Sequence, residues 1–511
     1  MHGTKNSIYD FFFRPQVTLA AKGSYIWVLL IFLLEVIVLN VVHLPINLTF
    51  YKFAFHDEGS NLTIQFLLAH GFRPVIDLGY SYGLLTLPIE RLWFAIAGMT
   101  PYAYQEAMLA AGLLMAWGFA RFASNLKLNG AEVLLMASAL PIAVMSSYAN
   151  FAKALEATLL CNALAEHAGG HRRLTLTLAT ISCLVKPALG YFYVLLLITL
   201  AIIQCRKSER PLHYLWHLVL PAGVVGAGLL ALVTITYGWK PLFWTLFPVS
   251  GAETYRYLNN GFFRAGSTLY YFRGVHLGYY FGTIAGFYLC GTVVVFLAGI
   301  VAARRLSRGQ DSDSPSADEL MVICAMLHAI FIFGLFGSAG SWSYYSYILV
   351  MGVILAIRYC GQVAPLVAAM AIGLAVLSNK SDFASTYEAW RLTARSSTTA
   401  GLWAFPAEVR EWSRVDQTID SGGGVVLSWA GCAFLLDARL RARPALYILP
   451  FQSSGREIQR YASQIKSARY VIACSNLDFI DWSLHFPEIH QAVAEHRLLW
   501  QGRYFEVFLR Q

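Results

Sequence analysis

Charged residues are scarce in this chain of 511 residues, because Asp, Glu, Lys and Arg together occupy only 13% of its positions. Soluble domains carry about 25%. Hydrophobic residues reach 57%, and the mean hydropathy is +0.53. The shortage of charge extends over most of the length, which excludes an ordinary soluble protein and indicates a chain that is solvated by lipid.

Other common signatures are missing as well. The eight cysteines never have CxxC spacing, so the sequence indicates neither a disulfide framework nor a zinc site. No internal repeat is evident, and Ser421-Gly-Gly-Gly424 lacks the spacing of a dinucleotide-binding loop. The net charge of +9 comes from short basic clusters between apolar runs. That pattern is typical of cytoplasmic loops, and we expect no nucleic-acid partner.

What the sequence has instead is long apolar runs, several of which approach the roughly 20 residues needed to cross a bilayer. We predict a mainly α, polytopic helical bundle of about 10–12 spans with a small C-terminal α/β domain. The first run follows Lys5, Arg14 and Lys22 and is too long for a signal-peptide core, so we expect a retained helix that leads outward. The clearest runs are Tyr25–Val42, Leu218–Tyr237, Tyr280–Ala303, Leu320–Leu335 and Tyr347–Ile357.

Between Gly83 and Arg173 the apolar pieces are shorter. We expect prolines to interrupt them and one piece to be re-entrant or to lie on the membrane surface. The pieces are Leu84–Ala97, Ala107–Phe119, Val133–Met145 and Ala154–Ala165, and the prolines are Pro88, Pro101 and Pro141.

The segment Leu174–Gln204 lies between two basic clusters and is too short for two full spans. It predicts a helical hairpin that enters the membrane part-way, with Lys186-Pro187 at its tip. The alternative is one long helix that crosses once. A lysine at that depth must face protein or water, not lipid.

These runs divide the chain into a transmembrane module, residues 1–380, and a linker with a small α/β domain, residues 381–511. We expect loops near 44–83 and 239–279 on the trans side, meaning the periplasmic, lumenal or external side. Within the first loop, Ser60–His70 predicts an amphipathic helix on the membrane surface. The C-terminal domain shows β-like runs at Gly424–Ser428, Ala445–Leu449, Tyr470–Cys474 and Tyr504–Leu509, with helical patterns at Arg456–Ser467 and Glu488–Arg497.

The first trans loop concentrates polar chemistry. His56, Asp57 and Glu58 are consecutive, and an acid there could accept a proton from a hydroxyl or bind a divalent cation. The alternative for this acidic pair is a solvated turn. Arg73 is a candidate for binding a phosphate. The alternative is a simple ion pair between Arg73 and Asp77.

Lys186 is the second candidate. A cation part-way down the bilayer lies at the level of a lipid headgroup, where it can bind the phosphate of a lipid. Its alternative is an ion pair with an acid such as Glu35 or Glu156. Glu35, inside the first span, is a functional candidate or a helix–helix contact. Further candidates for the phosphate are Arg256, Arg264, Arg273, Tyr344 and Tyr345. Taken singly, each arginine is more simply explained as a surface charge, and the two tyrosines are most simply explained as interfacial aromatics.

The combination of many membrane spans with these motifs resembles the GT-C superfamily of membrane glycosyltransferases. That superfamily includes bacterial lipid A aminoarabinose transferases and protein mannosyltransferases. The resemblance rests on the acidic pair, on Gly71-Phe-Arg-Pro-Val-Ile-Asp77 before Gly79-Tyr-Ser-Tyr-Gly83, on Leu184-Val-Lys-Pro187, on Ser343–Tyr347 and on the α/β tail that ends in Gly502–Phe508. The second trans loop has no acid where several members have one, and Glu156 is the nearest substitute.

The resemblance implies transfer of a sugar from a polyprenyl-phosphate donor to a glycan, lipid or protein acceptor on the trans side. It implies Asp57 as base beside Glu58 and a donor phosphate held by Lys186, Arg73, Arg264 and Tyr345. Substrate contacts would come from His56, Asp77, Tyr82 and Arg256. No cofactor is required, although Asp57 and Glu58 would be the ligands of a divalent cation. We expect a bacterial inner membrane protein with a periplasmic C-terminal domain. The alternatives are a transporter or lipid flippase and an accessory subunit.

Overall fold

The structure is a computed structural model in which fifteen stretches of the chain are described. They are residues 22–50, 57–77, 80, 82–147, 150–187, 189–205, 211–246, 284–308, 315–332, 345–391, 394–395, 402–418, 424–427, 455–474 and 487–511.

The described residues form two compact units. The first unit contains the described residues of Met1–Val41, Met108–Leu232 and Ala265–Ala384. The second contains those of Val42–Ala107, Val233–Arg264 and Ser385–Gln511.

Helices make up most of the described chain. In order they are α1 (Lys22–Asn47), α2 (Asp57–Ala69), α3 (Thr86–Ala97), α4 (Pro101–Asn125), α5 (Gly130–Ser147), α6 (Phe151–Ala168), α7 (Arg172–Val185), α8 (Leu189–Cys205), α9 (Pro211–Tyr237), α10 (Trp239–Leu246), α11 (Ile284–Arg308), α12 (Pro315–Ile332), α13 (Ser346–Ile357), α14 (Ala364–Arg391), α15 (Pro406–Thr418), α16 (Gly455–Ser467) and α17 (Pro487–Ala494). The strands are β1 (Ala394–Arg395), β2 (Trp403–Ala404), β3 (Gly424–Leu427), β4 (Tyr470–Cys474), β5 (His496–Gln501) and β6 (Phe505–Arg510).

Five described helices are long and apolar enough to cross a membrane, so the chain is a membrane protein. The corresponding stretches are Tyr25–Asn47, Pro101–Asn125, Leu212–Tyr237, Gly286–Ser307 and Gly361–Asn379. Three further apolar helices, Gly130–Met145, Leu189–Ile203 and Ser346–Ile357, are shorter. Helix α3 has only 12 residues, which is about 18 Å. It is therefore too short to span the hydrocarbon, and it lies outside the membrane-spanning segments.

The core of the first unit is α13. All of its residues are buried, as expected for a helix that is apolar on every side. It packs against α5, α11 and α12. Glycines permit close approach between α11 and α13, since a Cβ on Gly291 of α11 would lie 3.0 Å from Cγ2 of Val353 on α13, and a Cβ on Gly352 of α13 would lie 3.0 Å from Cγ2 of Val295 on α11. Small residues at helix–helix contacts are typical of membrane bundles.

The expected hairpin is present in the first unit. Helices α7 and α8 pack against each other, and the helical run is interrupted at Lys186-Pro187. This excludes the single long helix. The expected effect of the other prolines was partly wrong: Pro101 begins α4, whereas Pro141 lies inside the continuous α5.

The second unit contains the C-terminal α/β domain, whose sheet has the strand order β3-β4-β6-β5. Strands β3 and β4 are parallel, and the two remaining pairs are antiparallel. Helices α16 and α17 cover the sheet through a cluster that includes Tyr461, Ile465, Val471 and Ile489. The mainly α fold with a small C-terminal α/β domain is thereby confirmed.

Two details of this unit differ from the expectation. The helix predicted for Glu488–Arg497 ends at Ala494, and His496–Gln501 pairs with β6 as a strand. The predicted strand Ala445–Leu449 lies outside the described residues. The short amphipathic helix is present as α2, but it is not a surface helix, because Leu62, Gln65 and Leu67 are buried in the protein.

Candidate functional site

In the first unit, the backbone conformation at Lys186 directs its side chain away from the helix α7. A residue before proline is forced towards an extended conformation, and Lys186 has φ −150° and ψ 106°. Its N–H donates to the Ser182 carbonyl at 2.9 Å, and Pro187 cannot continue the α7 hydrogen bonds. The Lys-Pro sequence therefore both ends α7 and turns the lysine side chain out of the helical spiral.

The Lys186 ammonium has one acidic and one aromatic neighbour. Its Nζ lies 3.1 Å from Oε2 of Glu156 on α6 and donates a hydrogen bond to the hydroxyl of Tyr345, the residue before α13. The same Nζ lies 4.6 Å from the centroid of the Tyr345 ring. The side chain of Lys186 is 14% exposed and that of Glu156 only 1%. The ion-pair alternative for Lys186 is thus realised with Glu156, and among the described residues Glu35 is not its partner.

A second tyrosine extends this polar cluster. The ring of Tyr347 lies 6.2 Å from that of Tyr345. Its hydroxyl is buried without a hydrogen-bond partner among the described residues, as is Oε1 of Glu156. Buried polar atoms without partners are uncommon in folded proteins. The Tyr347 hydroxyl therefore has unused hydrogen-bonding capacity for a ligand.

In the second unit, the acidic pair begins a helix. Asp57 is the first residue of α2, and Glu58 is 5% exposed. Acidic residues in the first turn of a helix are favoured by the helix dipole. The solvated turn considered as the alternative is therefore not what the structure has at Glu58, which is buried.

Arg73 and Asp77 pair with each other, as the alternative for Arg73 proposed. The Arg73 Nε lies 2.8 Å from Asp77 Oδ2, and the Arg73 backbone N–H donates to the same oxygen at 2.9 Å. The hydrogen bond from the Arg73 side chain is the main cause that lowers the pKa of Asp77. Arg460 of α16 also donates to the Asp77 carbonyl, which ties this turn to the C-terminal domain within the same unit.

The turn between them is strained. Val75 has φ +67°, in the left-handed region that β-branched residues avoid. Such strain persists only where surrounding contacts enforce it, and it is frequent at functional sites.

The same unit contains a buried acid, Glu90, that the sequence did not reveal as a candidate. Gln65 of α2 donates to Oε2 of Glu90 on α3 at 2.7 Å, while Oε1 of Glu90 has no partner among the described residues. Burial raises the pKa of Glu90 to about 8. Tyr80 is buried, Tyr82 is partly exposed, and their ring centroids are 5.9 Å apart. A glutamate in a short apolar helix was the only sequence signal for this acid.

Three predicted site residues, His56, Arg256 and Arg264, lie outside the described residues, as do Arg273 and Tyr344. Of the others, the structure brings Lys186 together with Tyr345, and Arg73 together with Asp77. The described part of the chain contains no group of three His, Cys, Asp or Glu side chains arranged to hold a metal ion.

Comparison with known proteins identifies relatives by fold alone. No family model matches the sequence, and no curated protein matches it. The chain is similar to the crystal structure of ArnT from Cupriavidus metallidurans in the apo state, with a TM-score of 0.54 and 13% identity over 93% of this chain and 97% of that one. For ArnT from the same organism bound to undecaprenyl phosphate, the TM-score is 0.50 with 14% identity over 96% and 98% of the two chains.

ArnT is a lipid A aminoarabinose transferase of the GT-C superfamily. The likeness extends over nearly the whole of both chains, so it concerns the complete architecture and not one shared domain. The fold implied by the resemblance in the sequence is therefore confirmed.

Proposed function

We propose that this chain is an integral membrane glycosyltransferase that transfers a sugar from a polyprenyl-phosphate donor to an acceptor on the trans side of the membrane. The observation that carries the proposal is the cluster of Lys186, Glu156 and Tyr345 at the tip of a hairpin, in a chain with the fold of ArnT. One of the similar ArnT structures is bound to undecaprenyl phosphate, which supports a donor of the same class.

The location of the reaction explains the choice of donor. Nucleotide sugars are not available on the trans side, so an activated sugar has to arrive there attached to a lipid. A bacterial inner membrane with the C-terminal domain in the periplasm fits this arrangement. The acceptor is an envelope glycan, a lipid or a protein.

The chemistry requires one base and a stabilised leaving group. Asp57 accepts the proton of the acceptor hydroxyl while its oxygen attacks the anomeric carbon from the face opposite the phosphate. The bond between that carbon and the phosphate oxygen breaks, and the polyprenyl phosphate leaves with the electron pair. The anomeric configuration is inverted. A phosphate departs without protonation, so a second carboxylic acid, as in glycosidases, is not needed.

Lys186 and Tyr345 are proposed to hold the donor phosphate. An ammonium group has three N–H donors; two are directed at Glu156 and Tyr345, which leaves one for a phosphate oxygen. Because Glu156 already balances the charge of Lys186, additional positive charge must come from arginine, and Arg73 and Arg264 are proposed for this role. Preorganised donors at a departing anion are a main source of catalytic stabilisation.

The remaining roles are proposed as follows. Glu58 orients Asp57, and His56, Asp77, Tyr82 and Arg256 contact the sugar or the acceptor. No cofactor is required, and if a divalent cation takes part, Asp57 and Glu58 bind it. Asp77 in this proposal acts partly through Arg73, whose side chain it holds at 2.8 Å.

Donor binding by matched variants tests the role of Lys186. Lys186→Ala removes the ammonium but leaves the buried Glu156 unpaired, so loss of binding by this variant alone would be ambiguous. The double variant Lys186→Met with Glu156→Leu removes both charges and leaves no unpaired ion. We expect the double variant to be folded and to bind undecaprenyl phosphate at least about tenfold more weakly than the unmodified protein, which corresponds to a lost charge-assisted hydrogen bond. Full affinity in the folded double variant would make Lys186 structural.

A further inference from the structure

A cavity of about 630 Å³ lies in the first unit. It is at the first turn of α7, whereas Lys186 follows the last turn of that helix, and none of its lining residues belongs to the Lys186 cluster. It is formed by the end of α4, the turn between α6 and α7, and the first turns of α7 and α9. Ligand sites in proteins have volumes of about 300–1,000 Å³. The proposed transfer reaction does not use this cavity.

Its lining carries more positive than negative charge. Arg121, Arg172 and Arg173 line the cavity together with His171 and His217, whereas Glu166 is the only acid among its lining residues.

Two of the arginines are already oriented by acids. Arg121 lies 2.6 Å from Glu166, and Arg172 lies 2.8 Å from Glu319. A guanidinium has five N–H donors, so each arginine keeps donors for a second anion. Arg173 is exposed and forms no ion pair with the residues that the structure describes. The site therefore offers one unneutralised cation and two arginines whose positions are fixed.

The surroundings indicate a lipid ligand. The outer face of α9 beside the cavity is strongly apolar and exposed, with Leu212 at 82% and Trp216 at 63% exposure. Arg121 also stacks over Trp117 of α4 at 5.3 Å, and Trp117 is itself 39% exposed. Tryptophan is enriched at the level of the lipid headgroups. An arginine-lined cavity next to an apolar helix face and a partly exposed tryptophan matches a phosphate that is attached to acyl chains.

We propose that this cavity binds the phosphate of an anionic glycerophospholipid, whose acyl chains lie along α9. By the positive-inside rule the cluster Arg172-Arg173 belongs to the cytoplasmic side, where basic pockets between spans bind anionic headgroups. The phosphate is held by Arg173 and by the remaining donors of Arg121 and Arg172. This site is separate from the donor site and does not depend on the proposed transferase activity.

Native mass spectrometry of the full-length protein in detergent tests the proposal, with palmitoyl-oleoyl phosphatidylglycerol and the matching phosphatidylcholine as probes. We expect phosphatidylglycerol to be retained at least about tenfold more than phosphatidylcholine, and Arg173→Gln to lower its retention about fivefold, the effect of one basic residue at an anionic lipid. Arg173→Lys keeps the charge and should preserve retention, which also shows that the position tolerates substitution.

The control is Arg304→Gln, which removes an exposed arginine of another basic cluster outside the cavity. Its retention of phosphatidylglycerol should equal that of the unmodified protein. Equal retention of the two lipids, or an Arg304→Gln effect as large as that of Arg173→Gln, would overturn the site. Displacement of phosphatidylglycerol by millimolar glycerol phosphate would assign the cavity to a soluble phosphate and overturn the lipid assignment.

Discussion

The ammonium of Lys186 lies 3.1 Å from the carboxylate of Glu156, which belongs to a different helix of the first unit. Glu156 is almost completely buried, so the lysine is what keeps that carboxylate from being an isolated charge. The same ammonium contacts Tyr345, which stands directly before the fully buried α13. One side chain at the hairpin break therefore connects three separate parts of the chain.

The first prediction concerns the stability of this pair. Lys186→Ala should lower the free energy of unfolding by about 3–5 kcal/mol, because it strands a buried carboxylate. The double variant Lys186→Met with Glu156→Leu should recover most of that loss. Thermal unfolding in detergent measures both. A destabilisation by Lys186→Ala of under about 1 kcal/mol, the value of an exposed ion pair, would contradict the buried pairing.

The second prediction concerns the proposed base. Asp57→Asn should reduce the rate of sugar transfer about 10²–10⁴-fold, the usual contribution of a positioned general base. Binding of undecaprenyl phosphate should be unchanged, because Asp57 acts on the acceptor hydroxyl. Glu58→Gln is the matched control and should have the smaller effect. Turnover by Asp57→Asn at the rate of the unmodified protein would remove Asp57 from the mechanism.

The third prediction uses the pKa of Glu90, which burial raises from 4.5 to about 8. Between these values the folded protein keeps a proton that the unfolded chain loses. The contribution of Glu90 to stability is therefore full below pH ~4.5 and decreases by at most ~1.4 kcal/mol per pH unit as the pH rises to about 8.

Glu90→Gln keeps the contact with Gln65 and cannot ionise, so its stability should lack this decrease. Thermal unfolding of both proteins from pH 4.5 to 8.5 gives the difference directly. Parallel curves over that range would show that Glu90 is not buried as a neutral acid.

The fourth prediction concerns the strained turn at Val75, whose φ is +67°. A residue in this region costs about 1–3 kcal/mol, and glycine adopts it freely at an entropic cost of about 0.5–1 kcal/mol. Val75→Gly should therefore raise stability slightly or leave it unchanged. Val75→Ala keeps the strain and is the control. A clear loss of stability in Val75→Gly relative to Val75→Ala would show that the turn is not strained.

Features set by local chemistry could be predicted from the sequence. The Lys186-Pro187 break follows from the geometry of proline, and the apolar runs follow from the thickness of the bilayer. The strands β3, β4 and β6 were recognised by their β-branched and aromatic residues. The helical pattern of Glu488–Arg497 extends two residues into the strand His496–Gln501, because a short stretch with mixed periodicity becomes a strand only through its pairing with β6.

Long-range relationships could not be predicted from local patterns. The amphipathic pattern of α2 indicates that one face is covered but does not say by what, and the structure covers it with protein instead of lipid. For Lys186, the sequence left both Glu35 and Glu156 open as partners, since nothing local distinguishes them. The tertiary structure selects Glu156 and adds Tyr345.

Sugar transfer by the purified full-length protein in proteoliposomes is the most direct test of the proposed function. A panel of radiolabelled undecaprenyl-phosphate sugars is supplied together with envelope acceptors. We predict that label from one donor moves to an acceptor with inverted configuration, that undecaprenyl phosphate is released, and that Asp57→Asn slows both about 10²–10⁴-fold. Movement of the labelled lipid between leaflets without any transfer, at equal rates in the unmodified protein and in Asp57→Asn, would contradict the account and identify a flippase.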